Sequence, residues 1–171
     1  FYEILAKKKA ETKIIIDPST EISQFTLDMI RYADYPILPV EALIKIDQGK
    51  ELAHCLEKLY QLCQKPFIVT AGNLGSIIYD GSMLETIPAQ QVKAIDVQGA
   101  GDVYRGAFAY GVLLGWNIIK SATFATLVAG LQCTKIGNAS AIPTKKEIEE
   151  YQQRLVKEKL QKIDESFFAN I

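Results

Sequence analysis

The sequence is poor in the residues that build metal centres and disulfide frameworks. Its 171 residues include three cysteines and one histidine. Cys55, Cys63 and Cys133 have neither paired metal-ligand spacing nor the even number of a disulfide framework, so we expect buried thiols in a reducing compartment. His54 stands beside Cys55, but two potential ligands cannot complete a metal site, and we expect this histidine on a helix surface.

A strong charge and a long apolar run are also missing. The net charge is -1 and the lysines are dispersed, so no basic face is available for nucleic acid. No apolar run approaches the ~20 residues needed to cross a bilayer, and no basic-then-apolar leader is visible. We therefore expect a soluble, cytoplasmic protein that binds a small molecule and neither nucleic acid nor membrane.

Hydrophobic side chains, in contrast, are abundant. They make up 49% of the 171 residues, enough to bury one sizeable core, and we expect a single domain over residues 1–171. The sequence opens on Phe1, and Tyr2, Ile4 and Leu5 already follow helical spacing. This pattern favours a fragment of a longer chain.

Short apolar runs alternate with segments of helical periodicity. Strands are predicted at residues 13–17, 35–38 and 67–70, and helices at residues 22–32, 50–64, 102–114, 117–135 and from 144 onward. Further β-prone runs lie at residues 76–80, 83–87 and 92–95, separated by Gly, Asp and Pro. The pattern predicts an α/β fold with a mostly parallel sheet and an antiparallel edge.

A turn of small residues joins the last of these runs to a helix. Gly99, Ala100 and Gly101 put no bulk over the turn, so their N–H groups can converge at the helix start, where an anion such as phosphate is favoured. Asp102 beside such a site can accept a proton from an attacking hydroxyl. Alternatively, Asp102 only caps the helix, since Asp is favoured in a first turn.

The run DVQGAGDVYRGAFA, residues 96–109, resembles the carboxy-terminal signature of the ribokinase-like (PfkB) kinases at every position. The resemblance implies that Asp102 is the base that deprotonates the substrate hydroxyl and that the amides of Gly99, Ala100, Gly101 and Asp102 form an anion hole. It also implies a partial ribokinase-like, Rossmann-type three-layer core with helices on both sheet faces. The chain would be its nucleotide-binding part, without the amino-terminal substrate and lid half.

A second and a third match concern the nucleotide. Residues 70–75, TAGNLG, resemble the T-x-G-x-x-G nucleotide loop of that family, which assigns Thr70, Gly72 and Gly75 to ATP binding. Taken alone, this stretch also suits a plain hairpin turn.

Residues 135–143, here called the closing segment, include Asn138 and resemble the segment after the helix that flanks the adenine, and by position Thr126 would face the base. The small residues of that helix equally suit tight helix packing.

The resemblance also implies cations. In relatives that need a monovalent cation such as potassium, Asp96 and Gln98 bind it together with carbonyls of the closing segment; Gln98 replaces the usual Thr or Ser. For magnesium the family uses N-x-x-E, but here Leu38 stands three residues before Glu41, so the asparagine is missing. Glu41 can serve the metal or be a solvent-facing helix-start residue.

Two functions remain open at this stage. The first is an ATP- and magnesium-dependent phosphotransferase acting on an alcohol group of a sugar, nucleoside or related molecule. The second is a non-catalytic, nucleotide-binding relative with a regulatory or interaction role, favoured by the altered N-x-x-E region. A dinucleotide-binding oxidoreductase is set aside because neither glycine cluster has G-x-G-x-x-G spacing. A homodimer of the complete protein is left open.

Overall fold

The sheet organises the part of the chain that the structure describes. The structure, a computed structural model, describes residue 7, residues 11–47 and residues 51–168, with residues 163–168 as helix backbone only. The helical pattern predicted at Tyr2, Ile4 and Leu5 lies outside the described residues. The strands are β1 (Ile15–Ile16), β2 (Tyr35–Pro39), β3 (Phe67–Thr70), β4 (Ser76–Tyr79) and β5 (Leu84–Ile87), in that spatial order.

The strand directions match the predicted mixed sheet. β1 pairs with β2 and β2 with β3 in parallel, whereas β4 is antiparallel to both β3 and β5. Only β4 therefore runs against the other strands of the described sheet. Pro39 is paired with Thr70, so the carboxyl ends of β2 and β3 lie side by side. In open α/β sheets, ligands bind at this edge.

Helices cover both faces of the sheet. They are α1 (Gln24–Tyr32), α2 (Val40–Ile46), α3 (Leu52–Cys63), α4 (Ala100–Leu113), α5 (Ile118–Gln132) and α6 (Lys145–Phe168). Leu38 and Phe67 are buried in a core with α1, α2 and α3, whereas Ile37 and Ile68 are buried in a second core with α4 and α5. Successive strand residues point to opposite faces, and burying each such side chain contributes about 1.5–3 kcal/mol. The predicted α/β fold with helices on both faces is confirmed.

Some predicted elements differ from the structure. β1 covers two residues of the predicted run 13–17, and the helix Val40–Ile46 was not predicted. Residues 92–95 are not a strand. The N–H groups of Ile95 and Asp96 both donate to the carbonyl oxygen of Cys133, at 2.7 and 3.2 Å, at the end of α5. These N–H groups bond to a helix end and not to a neighbouring strand, so the run does not join the sheet.

Within the described residues, no helix combines the length and the apolar character that a bilayer crossing requires.

The longest described helix, α6, begins with a capping box: Thr144 N donates to Glu147 Oε2 at 2.7 Å, and Glu147 N donates to Thr144 Oγ1 at 3.3 Å. Lys135 also donates to Glu147 Oε1 at 2.5 Å. The start of α6 is thereby tied to the closing segment.

This cap should make stability depend on pH in the acid range. The hydrogen bond from Lys135 and those from Thr144 lower the pKa of Glu147 from 4.5 to about 2. A lowered folded-state pKa adds stability that is present above pH 4.5 and is lost as the pH falls towards about 2. Glu147→Gln should therefore flatten the dependence of Tm on pH in that window. Glu149→Gln, which breaks an exposed one-turn ion pair with Lys145, should keep the wild-type slope; equal slopes for both variants would contradict the assignment.

Candidate active site

A cleft of about 460 Å³ opens at the carboxyl edge of β3. The loop after β3, the segment 89–97, the start of α4 and the middle of α5 form its walls. Half of the predicted site residues line it: Thr70, Gly72, Gly75, Ala100, Gly101 and Thr126. Three segments that are distant in the sequence therefore meet where the sequence predicted a nucleotide. None of the lining residues carries a charged side chain, and nearly half of them are Gly or Ala.

The loop after β3 is shaped by two glycines in left-handed conformations. Gly72 and Gly75 have φ of 54° and 98°. Ala71 N donates to Gly75 O at 2.8 Å, which closes the turn. A Cβ on Gly75 would overlap the carbonyl oxygen of Ile87 and would lie 2.6 Å from Ala89 N. Only glycine lets this loop lie directly against the backbone that enters segment 89–97.

The start of α4 presents free amides to the cleft. Gly99 is the N-cap, with φ of 79°, and its carbonyl accepts the first helical hydrogen bond, from Val103 N at 3.0 Å. Ala100 N already donates to Val97 O at 3.2 Å. The amides of Gly101 and Asp102 have no acceptor within the helix, because the first turn of any helix leaves its N–H groups without one. An anion at this end would accept from those two.

Asp102 lies at the mouth of the cleft and not among its lining residues. Its side chain is 73% exposed and accepts a hydrogen bond from Arg105 Nη2 at 2.6 Å. The other terminal nitrogen of Arg105 forms an ion pair with Asp17, which follows β1 and is 15% exposed. Arg105 thus joins Asp102 to the carboxyl edge of the sheet. Nothing in the spacing of Asp17 and Arg105 indicates that they meet, so this link was not predicted.

The small residues of α5 have two uses. Near its start, a Cβ on Gly111 of α4 would lie 3.1 Å from Ser121 Cα, so the two helices approach closely there. Farther along, Ala129 and Gly130 line the cleft. Tight helix packing is therefore found near the start of α5 and small cleft-lining residues farther along, while the flat ligand stays a prediction. Thr126 also lines the cleft, but its hydroxyl donates to Ala122 O at 2.9 Å within the helix.

Asp96, Gln98 and Asn138 lie together beside the cleft. The two carboxylate oxygens of Asp96 accept from Gln98 N and from Gly137 N, each at 3.0 Å. These two hydrogen bonds lower the pKa of Asp96. Asn138 packs against Gly99, where a Cβ would overlap the asparagine side chain. The predicted residues thus connect residues 96–102, here called the anion loop, to the closing segment.

Gln132 belongs to this connection and was missed. Its side chain is fully buried, and Nε2 donates to Gln98 O at 2.9 Å and to Gly137 O at 3.3 Å. One signal could have revealed it: an amide stands in the otherwise apolar stretch LVAGLQC, and buried polar side chains are hydrogen-bonded.

Glu41 is separate from these residues. It is exposed in the first turn of α2, directly after β2. Because Pro39 pairs with Thr70, Glu41 belongs to the same sheet edge as the cleft. Leu38 is fully buried in the core, so no polar group takes the place of the missing asparagine in that register. Among the residues that the structure describes, no three His, Cys, Asp or Glu side chains form a metal cluster.

A comparison with family profiles settles the affiliation. The profile described as "pfkB family carbohydrate kinase" matches residues 4–145. The chain belongs to the PfkB family of carbohydrate kinases. This confirms the resemblance inferred from the run DVQGAGDVYRGAFA.

Several named relatives and solved structures are similar to this chain. Ribokinase from Lactococcus lactis subsp. lactis (strain IL1403) is 33% identical over 143 residues, which cover 82% of this chain and 45% of the relative. The crystal structure of ribokinase from Thermotoga maritima has a TM-score of 0.78 at 26% identity and covers 88% of this chain and 52% of that one. A putative ribokinase II from E. coli, solved in complex with ATP and Mg²⁺, shares the fold with a TM-score of 0.69 at 22% identity, covering 83% of this chain and 49% of that one. The chain spans about half the length of these proteins.

Proposed function

We propose that the complete protein transfers a phosphoryl group from ATP to an alcohol group of a sugar, nucleoside or related small molecule. One observation carries the proposal: predicted nucleotide residues from three distant segments line a single cleft that ends at the free amides of α4. Membership of a carbohydrate kinase family supports the reaction class. The substrate-selecting residues are proposed to lie outside this chain, which spans about half of its relatives.

The cleft suits a nucleotide in both shape and charge. A flat base would lie against Ala129, whose small side chain leaves room, with Thr126 beside it. Gly130 instead lies against Gln90, since a Cβ there would be 2.9 Å from Gln90 Cβ. The phosphates would extend towards Gly101 and Asp102. Since the lining has no charged side chain, the amides and dipole of the α4 start would stabilise the phosphoryl oxygens. Asn138 contributes indirectly in this proposal, by packing on Gly99.

Asp102 is proposed as the general base. Its exposed carboxylate would accept the proton of the substrate hydroxyl while that oxygen attacks the γ-phosphorus, and ADP leaves with the electrons of the broken P–O bond. The amides of Gly101 and Asp102 would stabilise the charge on the transferring group, and removing one such donor in comparable sites costs on the order of 3 kcal/mol in the barrier. Gly99 and Ala100 shape the turn that aims these amides.

Magnesium fits this site through Glu41 and the nucleotide itself. One or two carboxylates and substrate phosphates are the ligands that Mg²⁺ commonly takes in kinases. Glu41 is an exposed carboxylate at this sheet edge, and it would hold the ion through water. Bound there, Mg²⁺ supplies charge neutralisation at the β- and γ-phosphates.

The missing asparagine at Leu38 is the feature that supports the non-catalytic alternative, and the intact glycine turn and the family match speak against it.

Filling the cleft tests where the nucleotide binds. Ala129→Phe should weaken binding of a non-hydrolysable ATP analogue to the full-length gene product at least about tenfold, because the ring occupies the space proposed for the base. Thr123→Phe, on an exposed position of the same helix, should bind normally. Isothermal titration measures both affinities, and an assay of ADP release with a panel of sugars and nucleosides measures activity. Normal binding by Ala129→Phe would contradict the proposed nucleotide position.

A further inference from the structure

Gln132 is a fully buried polar side chain at the end of α5 that joins two separate segments. Its Nε2 donates to the carbonyl oxygens of Gln98 and Gly137, at 2.9 and 3.3 Å. These partners fix the orientation of the amide, because two carbonyl oxygens require a donor and only the nitrogen carries protons. Its Oε1 faces the thiol of Cys133 at 3.7 Å. The side chain therefore links the anion loop to the closing segment.

Asp96 binds the same two residues through their other backbone groups. Its carboxylate accepts from the N–H of Gln98 and from the N–H of Gly137, each at 3.0 Å. Gln98 and Gly137 are thus each held twice, by an anion at the N–H and by an amide donor at the carbonyl. Such a closed set of hydrogen bonds fixes both peptides relative to each other.

The position of these peptides bears directly on the cleft. Gln98 immediately precedes Gly99, whose left-handed conformation starts α4. Asn138 follows Gly137 and packs against Gly99, so the two linked segments also touch one residue farther on. A shift of the Gln98 peptide would therefore change the direction of the amides of Gly101 and Asp102.

The residues predicted for potassium do not fit the ion. Potassium is held in proteins by carbonyl oxygens that replace its water shell. Here the carbonyls of Gln98 and Gly137 already accept from Gln132, and each oxygen of Asp96 already accepts a backbone N–H. The Gln132 amide occupies the place between the two segments where an ion would have to bind these carbonyls.

We propose that the side-chain amide of Gln132 replaces the monovalent cation, so that nucleotide binding at this site needs no potassium. The proposal rests on the nucleotide site proposed above. Gln132 is a positioning residue, since it acts through Gln98 and Gly99 on the amides of Gly101 and Asp102. The two N–H groups of its neutral amide direct positive partial charge at these carbonyl oxygens, as a bound cation would.

Melting temperatures test the link without any nucleotide. The Tm of the full-length wild-type protein should agree within about 1 °C in potassium chloride and in choline chloride of equal concentration, since no site binds the ion. Gln132→Met keeps the length of the side chain but removes the donor, and its Tm in choline should fall by about 3–8 °C. Leu131→Met, at the adjacent partly buried position, should stay close to wild type.

Nucleotide affinity separates positioning from a merely structural role. Measured well below its Tm, Gln132→Met should bind a non-hydrolysable ATP analogue at least about tenfold more weakly in choline, whereas Leu131→Met should bind normally. A potassium-specific rise in the Tm or affinity of the wild-type protein would overturn the proposal. Normal affinity of Gln132→Met would overturn it as well. If the wild-type protein binds no analogue at all, the proposed nucleotide site is wrong, and the melting temperatures alone decide the potassium question.

Discussion

Asp102→Asn should lower the kcat of the full-length protein by at least about a hundredfold, because general bases contribute factors of 10²–10⁴. Asparagine keeps the shape of the side chain and an oxygen that can accept from Arg105, but it cannot take up the substrate proton. The Asp102 carboxylate is exposed at the mouth of the cleft and does not line it. Affinity for an ATP analogue should therefore change by no more than about threefold.

Asp28→Asn is the matched control for this experiment. Asp28 accepts from Arg31 at 3.4 Å one turn along α1, the same i,i+3 pairing as that of Asp102 with Arg105, but far from the cleft. Exposed pairs of this kind contribute only about 0–1 kcal/mol, so turnover should be unchanged. ADP release under saturating substrate compares the three proteins. Turnover of Asp102→Asn within about threefold of wild type would mean that this aspartate only stabilises the helix start as an acidic first-turn residue.

The features that the sequence predicted well are contiguous ones. The conformations of the glycine turn at residues 99–101 and of the loop at residues 70–75 depend on residues within the same short stretch. Each could therefore be predicted from its local sequence. That both line one cleft followed from the resemblance alone, because the turn at residues 99–101 follows no strand of the described sheet. The assignment of catalytic, nucleotide and cation roles to individual residues stays a prediction until the variants are measured.

The features that were missed depend on distant partners. Gln132 donates to Gln98, 34 positions away in the sequence, and Arg105 of α4 forms an ion pair with Asp17, which follows β1. No local sequence pattern predicts either contact. Residues 92–95, VKAI, were predicted as β-prone, yet β-propensity mostly reports fit to a neighbouring strand. Beyond β5 the N–H of Ile95 donates to Cys133 O at the end of α5 instead, so the strand prediction for this run is wrong.

Gly75→Ala should destabilise the protein and weaken nucleotide binding together. At φ of 98° an alanine is strained, and its Cβ would overlap Ile87 O and lie 2.6 Å from Ala89 N. Strain of about 1–2 kcal/mol and a forced backbone shift of about 1–3 kcal/mol add to about 2–5 kcal/mol. For a domain of this size, Tm should fall by about 5–15 °C. Because the shifted backbone enters segment 89–97, which lines the cleft, affinity for an ATP analogue should fall at least about tenfold.

Gly115→Ala separates the strain of the left-handed conformation from the clash. Gly115 has φ of 73°, but a Cβ there would meet nothing within 4 Å. Its variant should lose only the conformational part, about 1–2 kcal/mol, and should bind the analogue normally. If Gly75→Ala and Gly115→Ala lose the same stability, the close approach of the loop to Ile87 does not hold in solution. If Gly75→Ala is the less stable of the two but binds normally, the loop serves the fold alone, and residues 70–75 are the plain hairpin turn that the sequence also allowed.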